Sequence, residues 1–152
     1  MMATQPGIPV SFQFAVAFGR NARDPEAAFR EVSGIGPEME VETVFEGGEN
    51  RFAHQLPKGV KSPRLVLKRG VAPNSSTLVA WCKRTLETGL VHPIVPKFLQ
   101  VFLLDASGNP LRAWAFENAY PVKWVVDPFE STRNQVAVET IELAYAYSEK
   151  VK

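Results

Sequence analysis

Residues Pro37 to Gly70 read PEMEVETVFEGGENRFAHQLPKGVKSPRLVLKRG, and the charges in this stretch are sorted. Glu38, Glu40, Glu42, Glu46 and Glu49 stand in its first half with no base among them. Arg51, Lys58, Lys61, Arg64, Lys68 and Arg69 stand in its second half with no acid. Gly47-Gly48 separates the halves, and glycine tolerates the positive φ that a turn or bulge demands. Met39, Val41, Thr43 and Phe45 fall on one side of an alternating acidic arm, with Glu38, Glu40 and Glu42 on the other. Same-face carboxylates in a strand lie roughly 7 Å apart. Burying them unpaired is unfavourable, so that face meets water or bases. Leu65 and Leu67 give the basic arm an apolar face opposite Arg64 and Lys68. The expectation is a two-signed ribbon that pairs within itself or meets a copy of itself on another subunit.

Outward from the ribbon, the pattern is mostly of period two. Val10 to Phe18, VSFQFAVAF, puts Val10, Phe12, Phe14, Val16 and Phe18 on one face, as in a half-buried strand. Gly19 to Pro25 has turn chemistry, and Glu26 to Val32 reads as strand from about Phe29, with a short helix as the alternative. Pro73-Asn74-Ser75-Ser76 opens the one clear helix, expected from about Ser76 to Thr88. A serine suits its N-cap. Leu78, Trp81, Cys82, Thr85 and Leu86 form its apolar stripe, and Gly89 suits its stop.

Phe98 to Leu104 is apolar on both faces apart from Gln100, and Asp105 to Asn109 has hairpin-turn composition. Leu111 to Glu117 returns as a strand. Tyr120 to Val126 follows with Pro121, which argues for a bend or an edge. Asp127 to Asn134 reads as a polar loop, and Gln135 to Tyr147 as the last strand, with Ala137, Glu139, Ile141, Leu143, Tyr145 and Tyr147 on one side. Phe12, Phe14, Phe18, Trp81, Phe102, Trp114 and Phe116 are the expected core. The fold class that results is mainly β: an antiparallel barrel or sandwich of about seven or eight strands, with one flanking helix and an extended hairpin.

The totals narrow the function. A chain of 152 residues suits a single domain. We expect that domain to span 1–152, with 1–9 and 148–152 flexible. A net charge of +1 does not suit a dedicated nucleic-acid binder. The single cysteine, Cys82, forms no internal disulfide and fits a chain made in the cytoplasm. No Sec-type signal and no apolar run of membrane-spanning length is visible, so no membrane insertion is expected.

No catalytic, cofactor or metal site is expected. His54 and His92 stand in unrelated contexts, and one cysteine makes no zinc cluster. Glu38, Glu40 and Glu42 lack the further oxygen donors of a calcium loop. Gly47-Gly48 lacks the Lys-Ser/Thr of a phosphate loop.

Several motifs in fixed order carry a family resemblance. They are F-x-x-V-S-G-I from Phe29, E-G-G-x-N from Glu46, L-x-L-K-R-G from Leu65, and L-x-x-W at Leu78 to Trp81. L-D-x-x-G-x-P at Leu104, W-x-F-x-N-A-x-P-x-K-W from Trp114 to Trp124, and V-A-V-E-T-I-E-L-A-Y from Val136 complete the series. The chain resembles, from about Ser11 to Tyr147, the tail-tube proteins of contractile-tailed phages, in the branch of phage-like contractile injection systems.

The resemblance implies a structural protein, not an enzyme, whose subunits form hexameric rings stacked into an inner tube with a central channel. A sheath would surround the tube, with baseplate and tail-terminator proteins at its ends and an effector protein or phage DNA as cargo. The subunit would then belong to a phage tail or an extracellular tail-like particle. It would be either the bulk tube protein or the initiator that joins the tube to the baseplate.

The candidate subunit and ring contacts are Glu38, Glu40, Glu42, Glu46, Gly47, Gly48, Glu49, Asn50, Arg51, Arg64, Lys68 and Arg69. The alternative of another class is a monomeric β-barrel that binds a small ligand.

Overall fold

The computed structural model describes residues 12–21, 23–45, 47, 53–70, 76–89, 91–127 and 137–152. Nine strands and one helix run through them, somewhat more strands than the sequence pattern suggested. The strands are β1 (Gln13–Phe18), β2 (Arg23–Ser33), β3 (Glu38–Phe45), β4 (Ala53–Lys61) and β5 (Leu65–Gly70). After α1 (Thr77–Glu87) come β6 (Lys97–Leu104), β7 (Pro110–Val126), β8 (Val138–Ala144) and β9 (Tyr147–Lys150). The main sheet is antiparallel in the order β6-β1-β2-β5-β8-β7-β9, and β6 also pairs with β7, so six strands close on themselves. β3 and β4 form a separate two-stranded sheet.

Strand β7 makes the closure possible. The sequence suggested two strands here, broken before Tyr120; the structure has one, bent within. Its first half pairs with β6 and, on the other side, with β9, whereas Tyr120 to Val126 pairs with β8. At the change of partner Asn118 adopts φ 52°, a left-handed conformation that asparagine tolerates better than most residues. Pairing with β6 ends at Ala119, so Pro121 falls where the strand has lost a neighbour and its missing N–H is harmless.

The core is a cluster built from Val16, Phe29, Leu65, Leu67, Leu99, Val101, Phe116, Ile141 and Leu143 of the strands and Leu78, Trp81 and Cys82 of the helix. Each such aliphatic or aromatic side chain contributes about 1.5–3 kcal/mol by leaving water. Of the expected core, Trp81 and Phe116 are buried, while Phe14, Phe18 and Trp114 pack against the cluster from its margin. Phe18 and Trp81 meet edge to face at 5.3 Å, which ties β1 to α1.

Two expected core residues lie elsewhere. Phe12 is 48% exposed, because it precedes the first paired residue of β1. Phe102 is only half-buried, because it alternates out of phase with Leu99 and Val101 and lies on the opposite face, across from Ala15 and Ala113. Gln100 shares that face, buried, and its Nε2 donates to the Gly19 and Arg20 carbonyls at 3.2 and 3.1 Å.

Helix α1 matches its sequence signals. Ser76 is the N-cap, its Oγ accepting from the Val79 N–H at 3.1 Å, and Gly89 follows the C-cap Thr88 with φ 60°. Asp105 closes the β6–β7 turn, its Oδ1 accepting from the Ser107 and Asn109 N–H groups, each at 2.9 Å. Two features of the chain's end differ from expectation. The last long strand stops at Ala144, because the Tyr145 ring packs edge to face on Phe116 and the chain then turns to start β9. Tyr147 is therefore exposed, and Ser148 to Lys152 are bonded to β7 through β9 and the Ala113 backbone rather than forming a free tail.

Candidate assembly interface

The charge-sorted stretch divides between two structures. Its acidic arm is β3, whose partner is β4, while LVLKRG leaves the ribbon altogether and becomes β5, between β2 and β8. The β3–β4 hairpin thus extends the β2–β5 pair beyond the closed sheet. Its register sorts the side chains by face. Met39 lies opposite Val60, Val41 opposite Pro57, Thr43 opposite Gln55 and Phe45 opposite Ala53. On the other face Glu38 lies opposite Lys61, Glu40 opposite Gly59, Glu42 opposite Leu56 and Val44 opposite His54.

One face is therefore largely apolar and the other is led by carboxylates, yet every residue of both strands is exposed. Phe45 is 74% exposed. A lone two-stranded sheet is marginal in water, and an exposed apolar face of this kind marks an interaction surface. Lys61 Nζ lies 3.7 Å from Glu40 Oε1, and this pair of half-exposed groups contributes at most about 1 kcal/mol.

The root of the hairpin is tightly built. Gly34 has φ 83°, and a Cβ placed on it would stand 1.8 Å from the Arg64 carbonyl oxygen. Only glycine lets these two legs pass so closely. Tyr145 Oη donates to the Gly34 carbonyl at 2.8 Å, which pins the root to the end of β8.

The expected contact residues distribute as follows. Glu38, Glu40 and Glu42 line the hairpin, and Gly47 lies in a turn beyond Phe45. Glu46, Gly48, Glu49, Asn50 and Arg51 lie outside the described residues. Arg64 reaches Glu142 at 3.7 Å and Lys68 reaches Glu31 at 3.9 Å, both within the subunit.

Arg69 is corrected: it points inward and is 6% exposed. Its Nε lies 3.1 Å from Glu139 Oε2, its Nη1 lies 3.0 Å from Glu26 Oε2, and its Nη2 donates to Ser76 Oγ at 3.0 Å. The plane of its guanidinium lies over the Phe29 ring at 4.3 Å. Ser76 donates to Glu26 at 2.7 Å, the Leu78 N–H donates to the other Glu26 oxygen at 2.9 Å, and Trp124 Nε1 donates to Glu139 at 2.6 Å.

Burial pushes the Glu26 carboxyl up, but the Leu78 N–H, the Ser76 hydroxyl and Arg69 together hold it below its ordinary 4.5. The signal for this network was present in the alternation. Arg69 has the parity of Leu65 and Leu67, Glu139 has the parity of Ile141 and Leu143, and the register sets them opposite each other. Opposite charges at two inward positions of neighbouring strands mean a buried pair, not a surface one.

Among the described residues no group of three or more His, Cys, Asp or Glu is placed to hold a metal ion. Burial pushes the Cys82 thiol up to about 12. No helix among them is long and apolar enough to cross a membrane.

Residues 10–149 match the family model described as T4-like virus tail tube protein gp19. No curated protein matches the sequence. Among solved structures, a chain of the anti-feeding prophage baseplate is 29% identical, with a TM-score of 0.69 over 98% of this chain and 97% of that one. A chain of the PVC extracellular contractile injection system, in the sheath/tube terminator in its extended state, is 24% identical, with a TM-score of 0.67 over 99% and 100%. Hcp1 from Flavobacterium johnsoniae shares the fold at 15% identity, with a TM-score of 0.58 over 91% and 94%.

Proposed function

Because the chain belongs to the T4-like virus tail tube protein gp19 family, we propose that it is the repeating subunit of the inner tube of a contractile injection system. Six copies form a ring, and rings stack head to tail around a central channel. A sheath surrounds the tube, baseplate and terminator proteins close its ends, and an effector protein or phage DNA travels in the lumen. The subunit is made in the cytoplasm and leaves as part of a phage tail or tail-like particle.

The observation that carries this reading is the uncovered β3–β4 hairpin, amphipathic by register and exposed at every residue of its two strands. A subunit that worked alone would gain nothing from it. A subunit that stacks uses opposed surfaces of unlike chemistry to fix register and direction. Glu38, Glu40 and Glu42 are the contact residues we retain. Arg64 and Lys68 are secondary because they stand off the hairpin, Arg64 at its root and Lys68 within β5.

The 29% identity to a chain of a baseplate structure favours a second reading, the initiator from which the tube grows. The two differ in copy number and position. An epitope-tagged chain expressed with its operon should be labelled by gold antibody along the whole tube if it is the bulk subunit, and at one end only if it is the initiator. Sedimentation and negative-stain imaging of the purified protein should show rings or tubes of constant width. A strictly monomeric protein at every concentration overturns the assembly reading.

A further inference from the structure

We infer that Gly36 and Pro37, with Pro63 on the facing leg, form a preset elbow that fixes the direction in which the β3–β4 hairpin leaves the subunit. Gly36 is on this account a positioning residue for assembly. The inference rests on the reading above that the hairpin is a contact surface, and adds what aims it.

The elbow interrupts a ribbon whose register never slips. Ser33 pairs with Val66 at the end of the β2–β5 ladder. Five residues on, Glu38 pairs with Lys61, which stands five residues back along the facing leg. Nothing is inserted on either side, so residues 34–37 face residues 62–65 with the spacing of an unbroken ladder. Yet the two ladders belong to separate sheets, and residues 34–37 and 62–64 lie outside every strand. The break comes from residue type, not from length.

Pro37 and Pro63 each lack the N–H that a ladder needs, one on each leg. Between the barrel and Pro37, Gly36 adopts φ 106°, outside the regions open to residues with a side chain. The proline ring restricts the residue before it further. Gly36 is not there to make room, because a Cβ on it would meet nothing within 4 Å. Gly34, whose Cβ would strike the Arg64 carbonyl, lets the legs approach; Gly36 turns the chain.

The base of the elbow is anchored. Ile35 packs against the core cluster, and the Gly34 carbonyl is held by Tyr145 Oη. Beyond it every residue of β3 and β4 is exposed, so the hairpin takes its direction from backbone conformation instead of from side chains packed on the barrel. A joint stiffened by proline loses little freedom when its arm is bound, which is how preorganisation strengthens a contact. A ribbon that forgoes ladder bonds its register allows breaks a local rule, and such breaks concentrate at functional positions.

Two variants test the elbow from opposite sides. In Gly36→Val/Pro37→Thr/Pro63→Thr the ladder is free to run straight through. Its melting temperature should equal or exceed that of the wild type, and the amides of residues 34–37 should gain protection from hydrogen exchange. The concentration needed for tube growth should nevertheless rise about tenfold or more. Gly36→Ala should keep the wild-type circular dichroism and raise that concentration likewise. Spin labels on Thr43→Cys and Ser107→Cys, both exposed, read the direction of the arm by electron–electron distance, and the buried Cys82 takes no label. The otherwise wild-type chain should give one narrow distance distribution, the same in the free subunit and when diluted into unlabelled tubes. Both variants should shift it. A broad distribution, or a distance that changes on assembly, overturns the preset elbow. A triple variant less stable than the wild type overturns the claim that residue type alone breaks the ladder. Variants that move the arm yet assemble at wild-type concentration overturn its positioning role. A wild type that assembles neither rings nor tubes removes the assembly reading and the positioning role with it, whereas the narrow distance in the free subunit would still establish the elbow.

Discussion

Two ion-paired regions of this molecule draw charged residues from the same 34-residue stretch and behave as opposites. Around Arg69 three charged groups, a serine, an indole and a helix N-terminus satisfy one another with Arg69 6% and Glu139 2% exposed. On the hairpin Glu40 and Lys61 face each other at 3.7 Å with half of each side chain in water. Attraction between unit charges scales inversely with the local dielectric, so the same pairing is weak in one place and costly to break in the other. The buried cluster ties strands of the closed sheet to the helix, whereas the exposed ribbon is held only weakly by its own charges.

The largest effect that would sharpen this contrast comes from Arg69→Ala. It strands Glu139 at the heart of the sheet and removes a partner from Ser76, and loss of one member of a buried pair costs about 3–5 kcal/mol. Urea unfolding should show that loss, with the α1 signal most affected. A change below about 1 kcal/mol would mean that the network is solvated after all.

An intermediate effect is set by pH. Glu26 titrates below 4.5 in the folded chain, so its ionised form contributes stability above that value, and the contribution is lost as pH falls through the lower folded one. Wild-type stability should therefore decline on acidification below about pH 4.5, and Glu26→Gln should flatten that part of the profile while lowering stability at pH 7. Parallel profiles for the two proteins would remove Glu26 from the account.

The smallest effect belongs to the hairpin. Lys61→Ala should change unfolding free energy by less than about 1 kcal/mol, and less still in high salt. A larger loss in an unassembled subunit would mean that the ribbon is held by its own charges, contrary to the division drawn above.

Much of the fold was legible because one face of each strand is apolar. The helix, with its cap and stop, could be read from Ser76 and Gly89, and the β6–β7 turn from Asp105 to Asn109. The pairing of strands was not legible, because alternation reports a buried face and is silent about neighbours. Charge alone joins LVLKRG to the acidic arm, whereas its ladder partners are β2 and β8. The charge of Arg69 suggests a surface position, whereas its parity with Leu65 and Leu67 matches the inward position it takes. The continuity of β7 was hidden by Asn118 and Pro121, which ordinarily punctuate strands. The exposure of the ribbon was recognisable from its same-face carboxylates Glu38, Glu40 and Glu42.

The bend in β7 also bears on force. This strand is laddered to β6 over its first half, to β8 over its second, and β9 is fastened beside the first half. A pull along its length loads the hydrogen bonds on both flanks together, in shear, instead of opening them one after another from an end. Under such a pull Asn118, the strand's single left-handed residue, is the joint across which tension passes from one ladder to the next.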